Sequence, residues 1–115
     1  TKAEPNFWLS CLLLDEKAMC PQERGDLEAR YEGQSGKSCP TEIIEALARY
    51  NAEARPIWKP MHLQPFFRDK AFISAGPGED VGADIFRRGL CLPSDNKLTA
   101  DRQERIMEIV RACFA

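Results

Sequence analysis

Several features that would assign this 115-residue chain to a common functional class are missing from its sequence. Its cysteines form no C-x-x-C pair and it has a single histidine, so no zinc-ligand spacing is present and we expect no metal. The G-x-G-x-x-G and G-x-x-x-x-G-K-[ST] phosphate-loop patterns are absent. Sixteen basic and eighteen acidic side chains give a net charge of -2. The chain therefore lacks the excess of positive charge that binding to nucleic acid needs, and we expect no nucleic-acid partner.

The sequence also lacks an apolar run of about 20 residues and an N-terminal signal core. We therefore expect a soluble, cytoplasmic protein without a membrane partner. Three of the five cysteines lie within apolar patterns, so reduced, buried thiols are expected. The hydrophobic content of 43% suffices for the core of one domain over residues 1–115. Because the chain begins at Thr1, we expect it to be a domain cut from a longer protein.

Hydrophobic periodicity predicts a two-layer α/β (α+β) sandwich, in which helices cover a small three-stranded sheet. The nearly continuous apolar run over residues 7–14 predicts a central strand buried on both faces. Residues 15–38 are polar and rich in glycine, which predicts a long connection with a helical turn near residues 22–31. A helix then begins at Pro40 and runs to about residue 52. Residues 54–58 predict a short strand, which Pro56 places at a sheet edge.

Two further helices have clear caps. Asp80 caps a short helix whose Val81, Ile85 and Phe86 are predicted to face inward, and Gly89 ends it. Residues 90–92 predict an apolar strand that a proline stops. Thr99 caps the last helix. Its buried face has the helical spacing of Ile106, Ile109, Val110, Cys113 and Phe114.

Residues 58–67, Trp-Lys-Pro-Met-His-Leu-Gln-Pro-Phe-Phe, form the segment most typical of a binding site, and we call them the motif loop. Two prolines exclude an uninterrupted helix or central strand there, so the segment must be an ordered loop. Its mixture of tryptophan, lysine and histidine suits ligand recognition. His62 is explained equally well as a structural hydrogen-bonding residue, and Phe66 and Phe67 are explained more simply by packing. No nucleophile or acid partner lies nearby in sequence, so the loop predicts no catalytic residue.

Charged residues around the loop have two interpretations. Arg55, Lys59 and Arg68 have the chemistry to hold a phosphate, although solvated surface charge explains them as well. Capping and turn formation account for Asp80 and Asp95, so we assign these carboxylates no catalytic role.

Two segments in this order carry a resemblance: Ala-Arg-Pro-Ile-Trp-Lys-Pro-Met-His-Leu-Gln-Pro at 54–65 and Asp-Val-Gly-Ala-Asp-Ile-Phe-Arg-Arg-Gly-Leu-Cys-Leu-Pro-Ser-Asp at 80–95. Essentially the whole chain resembles the C-terminal small domain of the DegT/DnrJ/EryC1/StrS family of pyridoxal-phosphate-dependent sugar aminotransferases. The resemblance implies an aspartate-aminotransferase-like protein of fold type I. It also implies a preceding large cofactor domain and a homodimer with active sites near the subunit boundary.

The resemblance implies pyridoxal phosphate as the cofactor of the parent protein. No lysine here matches the family's Schiff-base segment, so no cofactor-binding residue is transferred and the chain alone is expected to be inactive. Substrate contact is implied for Trp58, Lys59 and His62 of the motif loop and for Ser94 in the turn at residues 92–95. The implied parent aminates a 4-keto-6-deoxy sugar nucleotide, UDP-linked and with glutamate as donor, for surface glycan synthesis.

Other classes of function remain open. One is a free-standing small-ligand-binding or regulatory module without catalysis, whose loop captures a phosphorylated ligand. Another is a role in packing alone, in which an exposed apolar face drives association.

Overall fold

The computed structural model describes residues 3–4, 6–74, 76–78 and 80–115. Within them, the elements follow the order β1 (Ser10–Leu13), β2 (Gln22–Arg24), β3 (Ala29–Tyr31), α1 (Pro40–Ala48), β4 (Arg55–Pro56), α2 (Val81–Arg88), β5 (Gly89–Leu92) and α3 (Ala100–Ala112). Strands β1, β5 and β4 form an antiparallel sheet in that order, and β2 pairs with β3 in a separate hairpin. The predicted mixed α+β class with a small three-stranded sheet is confirmed.

The centre of the sheet is β5, whereas the sequence predicts a central strand over residues 7–14. That prediction is wrong: β1 lies at an edge, its residues are largely exposed, and its pairing with β5 begins at Ser10. In β5, by contrast, Leu90 is fully buried and Cys91 nearly so. A continuous apolar run indicates a strand, but it does not distinguish burial inside this fold from an apolar face left at the surface.

Helices α1 and α3 pack against each other, and α1 packs on β4 and β5. The buried core between them consists of Leu14, Ile43, Leu47, Ala54, Leu90, Ile106, Ile109 and Val110. Because side chains alternate along a strand, Cys91 points away from the face that Leu90 presents to this core. Cys11 and Arg55 are the register partners of Cys91 on the two neighbouring strands. The helical layer therefore leaves the Cys91 face of the sheet available for a site.

Residues 22–31 form the β2–β3 hairpin, so the predicted helical turn is wrong. The Gly25 amide donates to the Glu28 carbonyl at 2.8 Å and closes the turn. The side chains of Gln22 and Arg24 donate to the carbonyls of Arg87 and Phe86, each at 2.6 Å. These bonds satisfy carbonyls that the end of α2 leaves without a helical partner. The partners lie more than 60 residues away, at separations of 65 and 62, which a local pattern cannot reveal.

The predicted caps are confirmed. The Asp80 carboxylate accepts from the Ala83 amide at 2.9 Å, and the Thr99 hydroxyl accepts from the Arg102 amide at 3.4 Å. The predicted buried face of α3 is correct for its three central apolar residues, whereas Cys113 and Phe114 are half-buried.

Two details of the helices differ from the prediction. Helix α1 ends at Ala48 and not near residue 52, because the chain turns there and Asn51 has a left-handed φ of 56°. Val81 and Ile85 are 61% and 38% exposed, so the prediction that they face inward is wrong, and Phe86 is half-buried. Helix α2 packs mainly on β5 and not between α1 and α3, which leaves much of its apolar stripe at the surface.

All five thiols are free, and Cys20, Cys39 and Cys91 are buried. Cys113 is half-buried and Cys11 is exposed, so the expectation of buried thiols is wrong for these two. Burial raises the pKa of Cys20 and of Cys91 to about 11, which keeps both protonated near neutral pH. In the described residues, no cluster of three or more His, Cys, Asp or Glu side chains is placed to hold a metal ion. Every helix in that part of the chain is too short or too polar to cross a bilayer.

Candidate functional site

A cleft of about 710 Å³ brings together three of the four residues predicted to contact substrate. Trp58 and Lys59 line it from the start of the motif loop, and Ser94 lines it from the turn after β5. Arg55 of β4 and Cys91 of β5 are also in its lining, as expected for the sheet face opposite the helices. The remaining lining residues are Leu9, Glu53, Pro56, Ile57, Phe86, Leu92, Pro93 and Asp95.

Trp58 presents a large exposed ring beside this cleft. It packs against Trp8, with ring centroids 5.8 Å apart and planes tilted by 34°. The two side chains remain 62% and 66% exposed, respectively. A pair of accessible aromatic rings suits stacking on a planar ring of a ligand. Sequence reasoning missed Trp8 as a site residue, because Trp8 lies within the run at residues 7–14 that was predicted as a buried strand.

Lys59 is paired with an acidic residue that lies 33 residues earlier in the chain. Its Nζ lies 2.6 Å from Oδ1 of Asp26 in the β2–β3 turn. The other carboxylate oxygen of Asp26 lies 3.0 Å from Nη2 of Arg68. The hydrogen bond from Lys59 is the main reason why the pKa of Asp26 lies below its usual value. Because residues 22–31 were predicted as a helical turn, this contact was not foreseen.

Ser94 shapes the cleft with a hydroxyl that is already engaged. Its Oγ accepts from the Ser10 amide at 2.8 Å and donates to the Leu92 carbonyl at 2.9 Å. These two bonds fasten the start of β1 to the end of β5. Substrate contact by Ser94 stays a prediction, and the geometry shows a role in positioning the cleft wall.

His62 lies in the second half of the motif loop and is not among the residues that line the cleft. Its Nε2 is 2.5 Å from Oδ2 of Asp80, and its ring stacks on Phe72 at a centroid distance of 3.8 Å. The pKa of Asp80 is lowered chiefly by the hydrogen bond from the Ala83 amide, with His62 contributing further. His62 thus ties the loop to the first turn of α2, which supports its structural interpretation. Substrate contact by His62 stays a prediction.

A second groove, of about 730 Å³, lies between Tyr31 and the packed pair α1 and α3. Its two arginines are paired with carboxylates: Arg105 lies 3.0 Å from Glu108, and Arg49 lies 3.9 Å from Glu45. No residue of the motif loop lines this groove. We therefore place the candidate site at the first cleft, although the two volumes are nearly equal.

The family model described as the DegT/DnrJ/EryC1/StrS aminotransferase family matches residues 28–111. This match runs from just before β3 almost to the end of α3 and includes the whole motif loop. The chain belongs to the DegT/DnrJ/EryC1/StrS aminotransferase family, which confirms the resemblance found in the sequence.

The chain is also similar to a protein of Bacillus subtilis (strain 168) whose name is "Putative pyridoxal phosphate-dependent aminotransferase EpsN". The two are 44% identical over 75 residues, which amount to 65% of this chain and 19% of that protein. The chain therefore spans about a fifth of the length of this relative.

Lys59 is the one lysine among the described residues that line the cleft, and its ammonium is held by Asp26. A lysine that forms a Schiff base with pyridoxal phosphate must instead present its amine to the cofactor aldehyde. The residues of this cleft therefore do not fit the anchoring of that cofactor.

Proposed function

We propose that this chain is the substrate-contacting small domain of a pyridoxal-phosphate-dependent aminotransferase of fold type I. The proposed substrate is a UDP-linked 4-keto-6-deoxy sugar nucleotide, with glutamate as amino donor, used in surface glycan biosynthesis. The observation that carries this proposal is the convergence of Trp58 and Lys59 with Ser94 around one cleft in a chain of this family. In this proposal the cofactor is held by a large domain of the same homodimeric protein.

The chemistry of the cleft suits the three parts of such a ligand. The exposed rings of Trp58 and Trp8 suit stacking on a nucleobase. Lys59 and Arg55, which pair with Asp26 and Glu53 in the structure, supply cations for phosphate oxygens. Asp95 in the facing turn supplies an acceptor for sugar hydroxyls. The cleft volume of about 710 Å³ lies within the range of roughly 300–1,000 Å³ that is common for small-molecule sites.

Bound pyridoxal phosphate would supply the electron sink that amino transfer requires. The role of this chain is different, because its cleft offers stacking surfaces and cations and no cofactor-anchoring lysine. We assign it the binding and orientation of the sugar nucleotide, and we assign none of its residues to catalysis.

The proposal is tested by assaying the whole protein with pyridoxal phosphate, glutamate and a UDP-linked 4-keto-6-deoxyhexose. We expect formation of 2-oxoglutarate and of the amino sugar in equal amounts. The matched control substrate is the UDP-sugar with a hydroxyl at C4, which has no carbonyl to accept the amino group and is expected to give no 2-oxoglutarate. Absence of turnover with 4-keto sugars linked to UDP, dTDP or GDP would rule the proposal out.

A binding module without catalysis is the second candidate function, because one cleft of about 710 Å³ combines the ring of Trp58 with the cation of Lys59. The two candidate functions predict different affinities of the isolated 115-residue chain for UDP-sugars. A domain that supplies one wall of a larger site is expected to bind at millimolar strength or weaker, since much of the contact area is missing. A submicromolar dissociation constant by isothermal titration calorimetry would favour the module.

A further inference from the structure

We propose that Lys59 and Arg68 form a subsite for the phosphoryl oxygens of the ligand, and that the Asp26 carboxylate occupies this subsite until a ligand displaces it. This subsite rests on the proposed function, in which the ligand carries phosphoryl groups. It adds one cation that lies outside the cleft lining and one competing carboxylate.

The geometry of the three side chains supports this assignment. One carboxylate oxygen of Asp26 lies 2.6 Å from Nζ of Lys59, and the other lies 3.0 Å from Nη2 of Arg68. Two cations thus converge on two oxygens of a single anionic group. A phosphoryl group presents neighbouring oxygens in a similar way, and lysine and arginine are the side chains that commonly bind them.

Lys59 and the Asp26 carboxylate differ in their surroundings, whereas the Arg68 side chain is 67% exposed. Lys59 is mostly buried, lines the cleft, and lies before Pro60, while its carbonyl accepts from Nε2 of Gln64 at 3.2 Å. Asp26, by contrast, lies in an exposed hairpin turn next to Leu27, which is 99% exposed. Moving the turn would uncover little apolar surface. The structure therefore places the replaceable carboxylate on an exposed turn and Lys59 in the wall of the cleft.

Displacement of Asp26 has a definite consequence for affinity. With the carboxylate in place, the two cations carry a single net positive charge. A ligand oxyanion must then compete with an anion of the same chain, whose effective concentration at the subsite is high. Removal of the Asp26 charge is expected to strengthen anion binding. If Asp26 instead serves to orient Lys59 for the ligand, its removal weakens binding, so the sign of the effect separates the two roles.

The test measures pyrophosphate binding to the full 115-residue chain by calorimetry and by amide chemical shifts in NMR. We expect Asp26→Asn to bind pyrophosphate about fivefold more tightly than the unmodified chain, the size typical of one partly exposed ion pair. Adding Lys59→Met or Arg68→Met to Asp26→Asn should abolish this gain. The amide chemical-shift changes should concentrate at residues 58, 59 and 68.

The matched control is Asp101→Asn on α3, which removes the same charge from an element that does not line the cleft. Unfolding midpoints of all variants establish that they are folded. Binding by Asp26→Asn that is equal to or weaker than that of Asp101→Asn, or undetectable, overturns the inference. Turnover of the 4-keto sugar nucleotide by the whole protein tests the proposed function independently, so the failure of one leaves the other measurable.

Discussion

The side chains of the motif loop divide into two groups with different partners. Trp58 and Lys59 face the cleft, whereas His62 and Gln64 form bonds that hold the loop in shape. His62 does so through partners that lie outside the loop, Asp80 and Phe72. The polar and aromatic residues of this segment therefore have two roles: some line the cleft, and others fix the conformation of the loop.

The first prediction concerns the anchoring role of His62. His62→Ala removes the stack on Phe72 and is expected to lower the free energy of unfolding by about 1 kcal/mol, the usual size of an aromatic pair. Urea denaturation of the chain followed by circular dichroism measures this. Ile73→Ala is the control, because Ile73 is a 91% exposed apolar residue next to Phe72. Equal stability of the two variants would contradict the anchoring role.

Asp84 gives a prediction for acid pH. Hydrogen bonding to Arg88, and next to Arg87, lowers the pKa of Asp84 from 3.8 to about 2. A carboxylate whose pKa is depressed in the folded state stabilises the fold above pH 3.8, and this contribution disappears as the pH falls towards 2. The stability of Asp84→Asn should therefore fall less between pH 5 and pH 2 than that of the unmodified chain. Carboxyl 13C shifts should show the titration of Asp84 near pH 2, and a midpoint near 4 would contradict the assignment.

At the scale of elements, β5 is short and central, and its first residue must be glycine for a steric reason. A Cβ on Gly89 would lie 2.5 Å from the Ile85 carbonyl oxygen and 2.6 Å from Cγ1 of Ile57. The φ of Gly89 is -102°, so the backbone conformation itself would allow other residues. The close approach arises because α2 runs directly into β5 while the segment before the motif loop packs against that junction.

Gly89→Ala is therefore expected to reduce the free energy of unfolding by roughly 1–3 kcal/mol, as overpacking of a buried position usually does. The clash with a backbone oxygen cannot be relieved by rotation of a side chain. Gly33→Ala is the matched control, since a Cβ at Gly33 meets no atom within 4 Å and its φ is not positive. Thermal unfolding of both variants measures the difference, and a Gly89→Ala variant as stable as Gly33→Ala would show that the junction adjusts freely.

Sequence reasoning succeeded where the determining contacts are local. The caps of α2 and α3 and the buried stripe of α3 depend on residues three or four apart, and these were predicted correctly. It failed for the β2–β3 hairpin, whose side chains bond to the end of α2, and for the edge position of β1. In the candidate site, Trp58 and Lys59 were found from their loop. Their partners Trp8 and Asp26 were not, because pairing between distant segments leaves no periodic signal.

At the scale of the whole molecule, the two sides of the sheet have different surfaces. One side is covered by α1 and by the core that α3 closes. The other side carries the cleft, and large apolar side chains remain exposed in the segments beside it, among them Phe7, Trp8 and Trp58. Large apolar side chains exposed beside a cleft are typical of a site completed by another surface. In the proposed function, that surface belongs to the large domain that holds the cofactor.

The proposed function makes a kinetic prediction for the whole protein, because a stacking residue contributes equally to binding the ground state and the transition state. Trp58→Ala should raise KM for the sugar nucleotide about tenfold, the usual worth of one base-stacking ring, and leave kcat nearly unchanged. Phe66→Ala serves as control, since Phe66 lies on the same loop but outside the cleft lining. The KM for glutamate should not change in either variant. A Trp58→Ala variant with a reduced kcat and an unchanged KM would place Trp58 at the reacting centre, and equal effects of the two substitutions would mean that the loop acts only through its fold.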